Sequence, residues 1–567
     1  MNYHEIDAVI AALTAPDGQF PVLEQDIGGH SRKVFGGLPE NLRDYYGYTA
    51  TFADKTCLVS GERRYSFNEV LRQLSHLAAA LRDDYGIGPG DRVAIAMRNC
   101  PEWCISFMAV TALGAVAVPM NSWWLGEELA FGLEDSGARL LIADGPRCAH
   151  LAGWLAESRL PVIGVETGGP ALPEGIGRMA DILGRPGVVA FPDSAAGPDD
   201  PAVILYTSGS TGQPKGVLST QRNVISAIGT WLVVGTAVAV LNGTVGQEPA
   251  SQPGILLTLP LFHVTGLNSL FLLSLLIGRK IVMMRKWDVD EALELIQAEQ
   301  ITHFNGVPTM SMELIRHPRL ADYDLSSLVE VASGGAACPS DHVARIVETL
   351  PGALPSAGYG LTETNAVGCL IGQNDYLGRP SSVGRPIPPL TELQITGPDG
   401  AGLPAGEVGE IWIRSPAVPA GYWNLDEDTR RTFTDGWCHT GDVGYRDEEG
   451  FVFIVDRLKD IIIRGGENIS CLEVEEALYS HPEVAEAAVF GLPDERLGET
   501  VAAVVATADG RPIGTETLRD WLAGRLAAFK VPQRIECHEG PMPRIASGKI
   551  AKRQLRESML ASLTGKE

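Results

Sequence analysis

The sequence predicts an α/β protein built in more than one unit, and three observations carry that expectation. The chain has 567 residues, enough for several domains at roughly 100–200 residues each. Helical and strand-like apolar spacings alternate between residues 62 and 134. After Leu390 the texture changes to short alternating strands separated by turns. With 45% hydrophobic and 20% charged residues, the chain can bury enough apolar surface to offset ordering entropy, which excludes disorder. Lys and Arg number 45 against 70 Asp and Glu, a net charge of −25. That field excludes a nucleic-acid binder relying on overall charge. Composition also excludes collagen-like and disulfide-scaffold classes.

Residues 1–13 lack a basic segment followed by a long apolar core, so no secretory signal is expected. Residues 67–83 have helical spacing, 91–97 read as a strand and 102–113 as a helix. Strand patterns at 140–143 and 160–165 continue the alternation, which predicts layered, largely parallel sheets. Segments 166–177, 184–201 and 242–254 read as loops. Residues 224–241 (VISAIGTWLVVGTAVAVL) are long enough for a marginal membrane span. Their glycines and hydroxyl residues, without a basic flank, make a buried or pocket-lining helix the better expectation. The apolar run 267–277 is too short to span. Strand patterns at 392–396 and 407–414, around a PDG turn at 398–400, predict a β-rich subdomain. From Glu473 onward the patterns describe a compact α+β unit. Nine scattered cysteines, an odd number without a CxxC pair, point to reduced thiols in the cytoplasm and to no zinc site.

Chemistry concentrates in short motifs. Residues 206–216 read YTSGSTGQPKG, directly after the apolar strand 202–205. Thr207, Ser208, Ser210 and Thr211 supply hydroxyls, Gly209 and Gly212 let backbone amides turn toward an anion, and Lys215 adds positive charge. Such a loop suits a polyphosphate, whose hydration shell it replaces. It is not a Walker A loop, because Pro214 stands where the second glycine belongs. Residues 359–364 read YGLTET and bring an aromatic face, a hydroxyl and a carboxylate within a few positions. Tyr359 could stack on a base, and Glu363 could hold a hard cation through oxygen. Further on stand SGGAA with Gly334, Gly335 and Ala336, WCHTGD ending at Asp442, DRLKD with Arg457 and Lys459, and PRIASGKI with Lys549. Taken by itself, Lys549 lies in a basic tail and reads as solvated.

From about Ser66 to Arg556 these motifs stand in the order of the adenylate-forming superfamily, which the chain resembles. That superfamily comprises acyl- and aryl-CoA synthetases, peptide-synthetase adenylation domains and beetle luciferases; the resemblance is greatest to bacterial fatty-acid or aryl acid–CoA ligases. It implies an N-terminal domain over 1–458, holding layered sheets and a β-rich subdomain, and a small mobile α+β domain over 459–567 hinged at Lys459. It also implies that Tyr359 and Gly360 border the adenine, with Gly334, Gly335 and Ala336 as a small-residue strip beneath it. Thr362 would contact the α-phosphate, Glu363 and Thr207 would serve Mg²⁺, and Asp442 and Arg457 would hold the ribose. Lys549 would bridge the acyl carboxylate and the α-phosphate. Gly465 and Gly466 would border the pantetheine tunnel. Cys471 stands where the family has a small residue or proline, and no His accompanies it in the motif, so a catalytic thiol is not expected.

In LPLFHVTG, Phe262 and His263 resemble the family's aromatic gate, with His263 as a packing and polarity element ahead of a general base. Amino-acid-activating relatives keep an Asp at the position of His263, so an amino acid substrate is disfavoured. Val264, Gly266, Val307 and Ala366 leave the acid side apolar or small. The implied activity is ATP-dependent ligation of a hydrophobic carboxylic acid (medium or long-chain fatty, aryl or steroid-type) to coenzyme A, with Mg²⁺. A carrier-protein thiol is the alternative acceptor, and the resemblance admits a homodimer.

Overall fold

The computed structural model describes residues 2–564 except 28, 169, 208–212, 248, 250, 336–339, 466, 508–509 and 546–547. Two large sheets form its body. One has eight strands and is parallel through Pro201–Thr207, Val116–Pro119, Arg92–Ala96, Leu140–Asp144 and Val162–Val165, with antiparallel Lys215–Thr220 toward one edge. The other has nine strands and is parallel through Leu354–Tyr359, Glu330–Gly334, His303–Gly306, Gly254–Leu257, Lys280–Met283 and Thr56–Ser60. The expected largely parallel layering is present.

Helix Pro101–Ala112 shows how the layers meet. Every residue of it except Glu102 is buried, and a helix apolar on all sides belongs inside a core. Trp103 and Phe107 stack with ring centroids 5.5 Å apart and share one buried cluster with Ile95 and Leu205 of one sheet and Ile255 and Phe304 of the other. Helix Phe67–Asp83 starts on a Ser66–Glu69 capping box. Between Gly184 and Pro201 the chain is irregular, as its Gly, Pro and Asp content predicts.

Helix Gln221–Leu241, apolar and long enough to cross a membrane, packs against the N-terminal helix Tyr3–Leu13 and borders a cavity described below. Asn223 in its first turn donates to the carbonyls of Pro416 and Val418, both at 2.9 Å. The expected β-rich region is a five-stranded antiparallel sheet that includes Glu392–Thr396, Gly409–Arg414, Trp437–Arg446 and Val452–Arg457. A further five-stranded sheet, with Val484–Asp494 and Gly498–Thr507 as its long hairpin, closes the chain. Its apolar clusters draw only on residues from Ile462 onward.

Candidate active site

The small-residue strip is a product of strand register. Glu330–Gly334 and Leu354–Tyr359 pair in parallel with Gly334 opposite Gly358, so neither strand projects a side chain at that pair, and the Trp231 ring lies 3.5 Å from where a Gly358 Cβ would stand. Gly335 follows at φ +76°, and a Cβ on it would lie 3.5 Å from the Cε of Lys549. Gly360, by contrast, has no room for a Cβ, since it would meet the Ala366 backbone at 2.6 Å.

Tyr359, Asp442 and Arg457 form one unit. Asp442 and Arg457 are cross-strand partners in the hairpin of Trp437–Arg446 and Val452–Arg457. The Arg457 Nε lies 2.9 Å from Asp442 Oδ1, and the buried Tyr359 hydroxyl donates to Asp442 Oδ2 at 2.7 Å. Burial, and then the Asp442 charge, hold the Tyr359 phenol protonated far above its ordinary range. The carboxylate is thus fixed in place beside the glycine strip.

Glu363 sits in the single turn Thr362–Thr364, half-buried, and accepts from the Tyr422 hydroxyl at 2.9 Å on Oε1. The turn ends on two non-glycine residues with positive φ, Asn365 at 51° and Ala366 at 62°, a conformation costing roughly 1–2 kcal/mol per residue. Asn365 offsets this by donating to the Ala417 carbonyl at 2.8 Å and to Ser219 Oγ at 3.0 Å. Asn268 donates to its Oδ1 at 3.1 Å. Sequence reasoning passed over Asn365, Asn268 and Ser219. The available signal was an asparagine after TET, a residue that tolerates the left-handed region.

Of the phosphate loop, Ser208, Gly209, Ser210, Thr211 and Gly212 lie outside the described residues, as do Ala336 and Gly466. The flanks are clear: Thr207 and Lys215 face each other at the loop end of an antiparallel hairpin, and Thr207 Oγ1 donates to the Lys215 carbonyl at 3.4 Å. The Lys215 ammonium pairs with Asp428 at 2.9 Å and lies 5.3 Å from the Tyr422 ring centre. Its charge is therefore already engaged rather than directed freely into the loop.

Lys549 departs most from its local reading. Instead of lying solvated in a basic tail, it is half-buried at the glycine strip, some 200 residues away in sequence. Gly548, at φ +83°, brings the backbone against Val307 and Met310. Arg544 steadies the hairpin by donating to the Gly548 carbonyl at 2.7 Å and pairing with Glu486. Burial, then Arg457, lower the Lys549 ammonium to about 8, while Asp442 pulls the other way. The same burial, with Lys549 second, brings His263 down to about 4. The imidazole is neutral at pH 7, its ring centre is 4.6 Å from that of Phe262, and its enclosed Nε2 has no hydrogen-bond partner among the described residues.

Lys459 stands exposed in the turn joining the two groups of sheets. Around it the seam is stitched: Ser470 Oγ donates to the Val455 carbonyl at 2.6 Å, and the Cys471 N–H donates to the buried Asp456. Lys552 pairs with Glu475 at 2.6 Å close by. Burial raises the Cys471 thiol far above its ordinary range, which makes it packing rather than a nucleophile. Gly465, at φ +60°, turns the hairpin of Ile462–Arg464 and Glu467–Ile469 and donates to the Leu497 carbonyl at 2.7 Å. It does not border the cavity in this arrangement.

That cavity, about 760 Å³, begins at Gly334 and Gly335 and runs between the nine-stranded sheet and helix Gln221–Leu241. Trp231, Val234, Val238, Leu270 and Ala366 give it apolar walls. Tyr3, Ile6 and Ile10 of the N-terminal helix border it on the outside. Its dimensions and apolar walls fit a small-molecule site.

Residues 48–423 match the AMP-binding enzyme family, and residues 473–549 match the AMP-binding enzyme C-terminal domain. A feruloyl-CoA synthase of an Amycolatopsis species is 38% identical over 88% of this chain and 95% of its own length. A long-chain-fatty-acid–CoA ligase of Bacillus subtilis is 34% identical over 90% and 92%. The crystal structure of the anthranilate CoA ligase AuaEII in complex with anthranoyl-AMP superposes with a TM-score of 0.83 at 26% identity, covering 93% of this chain and 99% of that one. With the family matched across both groups of sheets and its ligase relatives aligned nearly end to end, the chain belongs to the AMP-binding enzymes and is an acyl-CoA ligase that uses ATP and CoA.

Proposed function

We propose that this ligase activates a hydrophobic carboxylic acid held in the 760 Å³ cavity, first as an acyl adenylate and then as the CoA thioester. The observation that carries this reading is the seating of Lys549 against Gly335, at the end of an apolar cavity and beside Asp442 and Arg457. In the first half-reaction the acid's carboxylate oxygen attacks the α-phosphorus of ATP and pyrophosphate leaves. Both reactants are anions, and the transition state gathers charge between them. The Lys549 ammonium stands where that charge develops and can donate to both the carboxylate and the α-phosphate. Thr362 adds a hydroxyl to the α-phosphate side. Asp442 accepts from the ribose hydroxyls while Tyr359 and Arg457 keep it oriented, and residues 207–212 hold the distal phosphates.

Glu363 fits Mg²⁺: it offers a hard oxygen ligand, with only Oε1 engaged by Tyr422 among the described residues. A magnesium ion commonly takes one or two carboxylates plus substrate phosphates and keeps several waters. When bound it would neutralise phosphate charge and orient the leaving group. In the second half-reaction the CoA sulfur attacks the acyl carbonyl carbon and AMP leaves. Lys549 must then vacate the site, so the unit 459–567 turns about Lys459 and presents the Gly465–Gly466 hairpin to the pantetheine. Neutral His263 and Phe262 shape the passage between acid and thiol. Pyrophosphate release across a panel of carboxylic acids, with and without CoA, tests the scheme. Release that depends on a hydrophobic acid, with thioester appearing only when CoA is added, supports it; amino acids as the best substrates would overturn it.

A further inference from the structure

The cavity's far end is not apolar. Across the nine-stranded sheet, Ile255, His303, Glu330 and Leu354 occupy one row of register partners at the N-terminal edge, and all four border the cavity. Gly334 lies four residues along the same strand, so at about 3.3 Å per residue the row is about 13 Å from the end where Lys549 sits. Arg279, just before strand Lys280–Met283, borders the cavity beside this row.

The polar groups there are unevenly satisfied. Glu330 accepts from Ser356 Oγ at 2.7 Å and lies 4.0 Å from His303 Nε2, while His303 Nδ1 bonds Thr302 Oγ1 at 2.7 Å. Arg279 has no side-chain hydrogen bond and no carboxylate within ion-pairing distance among the described residues, and its Nε is completely enclosed. Burial lowers its guanidinium to about 10 against the pull of Glu330, so it stays charged at pH 7. Burial, then Arg279, hold His303 far below its ordinary range, hence neutral. A buried donor without an acceptor costs its full desolvation penalty unless a ligand supplies the acceptor. The carboxylate nearby makes the pair of residues near neutral and disfavours a second anion.

We infer that Arg279, with Glu330 and His303, recognises a neutral oxygen, a hydroxyl or ketone, carried by the acid about 13 Å from its carboxylate. Resting on the ligase reading above, this narrows the substrate from any hydrophobic acid to one oxygenated at its distal end. The Arg279 guanidinium donates to that oxygen; where it is a hydroxyl, its proton goes to Glu330 as a hydrogen bond. The apolar walls between the two ends bury the intervening carbons.

The test uses two probes on the full chain. Carbon–carbon bonds of about 1.5 Å advance about 1.25 Å each along an extended chain, so roughly ten carbons span the distance. Values of kcat/KM for acyl-CoA formation are compared for 10-hydroxydecanoate and decanoate, in the wild type and in Arg279→Met and Glu330→Gln. The wild type is expected to favour the hydroxy acid by about 10–100-fold, the range for a hydrogen bond to a charged group. Arg279→Met is expected to bring the ratio close to one. Because a ratio is read, a reduced folded fraction cancels, and Glu330→Gln, expected to lower the ratio, serves if Arg279→Met does not fold. Equal use of the two acids by the wild type, or a preference unchanged in both variants, overturns the inference while leaving the ligase reading intact. Turnover of neither probe, nor of any other hydrophobic acid, would instead remove the ligase reading.

Discussion

At the proposed nucleotide end, Tyr359, Glu363, Asp442 and Arg457 come from three short motifs, one ending in a single turn and two on the paired strands of one hairpin. At the acyl end, Ile255, His303, Glu330 and Leu354 come one from each of four parallel strands, and the opposite wall is a helix. The nucleotide end is dense in satisfied hydrogen bonds, with both Asp442 oxygens engaged. The proposed acyl end leaves Arg279 Nε and Trp231 Nε1 without partners among the described residues. The difference has a chemical origin. ATP is the same in every relative of such an enzyme, so its cradle can be fully organised in advance. An acid pocket distinguishes substrates through a few polar groups set among apolar walls.

Changes at the two ends should therefore move different kinetic constants, and Lys549 marks where the ends meet. Replacing it by Ala removes the ammonium seated at the glycine strip. Loss of a single preorganised donor at developing charge costs about 10²–10³-fold. Pyrophosphate release should fall by at least that much with every acid, while thioester formation from supplied acyl-AMP should persist if, as proposed, the lysine leaves before the thiol enters. Equal losses in both half-reactions would contradict a lysine that serves one closing face only.

Asp442→Ala should come next. It removes the proposed ribose acceptor and takes Asp442 away from Tyr359 and Arg457, and hydrogen bonds to charged groups contribute about 1.5–3 kcal/mol. The KM for ATP should rise about 10–100-fold while the ranking of acids stays as it was. A changed ranking would mean that the two ends are coupled. The converse at the acyl end is Ala332→Phe, placed midway between Glu330 and Gly334 on the cavity face. It should leave the KM for ATP unchanged and lower kcat/KM for acids of ten or so carbons relative to short ones. A hydrophobic pocket discriminates by about 10–200-fold per methylene-scale mismatch. Chain-length profiles for the two enzymes decide this.

How much of this was legible in the sequence follows the same division. Alternating apolar periods placed Phe67–Asp83 as a helix to the residue, and the turn-punctuated texture after Leu390 located the antiparallel sheet. Asp442 and Arg457 were brought together by resemblance alone; the hairpin that makes them cross-strand partners appears in the structure. The register row at the cavity's far end could not be, since strands at 255, 303, 330 and 354 each have their own helix or loop between them. Arg279 and His303 look like ordinary surface polar residues in a linear reading. Lys549 is the intermediate case: its motif was readable by resemblance, but its seat against Gly335 is a contact across some 200 residues of sequence, and local composition pointed to solvent. For Lys215 the sequence shows the added positive charge but not its ion pair with Asp428, which comes from more than 200 residues further on.

The smallest expected effect is the pH dependence of the first half-reaction, and it asks which group at the junction titrates. Lys549 is lowered to about 8 by burial and by Arg457, so its ammonium is complete below that pH and is lost as pH rises through it. The kcat/KM for pyrophosphate formation reports groups of the free enzyme. It should be level between pH 6 and 7 and fall above about 8, approaching tenfold per unit. His263, lowered to about 4, is already neutral over that range and contributes no break near the ordinary imidazole value. A histidine acting as the titrating base would instead give a limb rising through pH 6–7 that disappears in His263→Ala. Raising the charge near Lys549 by Asp442→Asn removes the carboxylate that pulls its affinity for protons up, and should move the falling limb to lower pH. A limb unmoved by that substitution would place the titrating group outside the cluster of Lys549, Arg457 and Asp442.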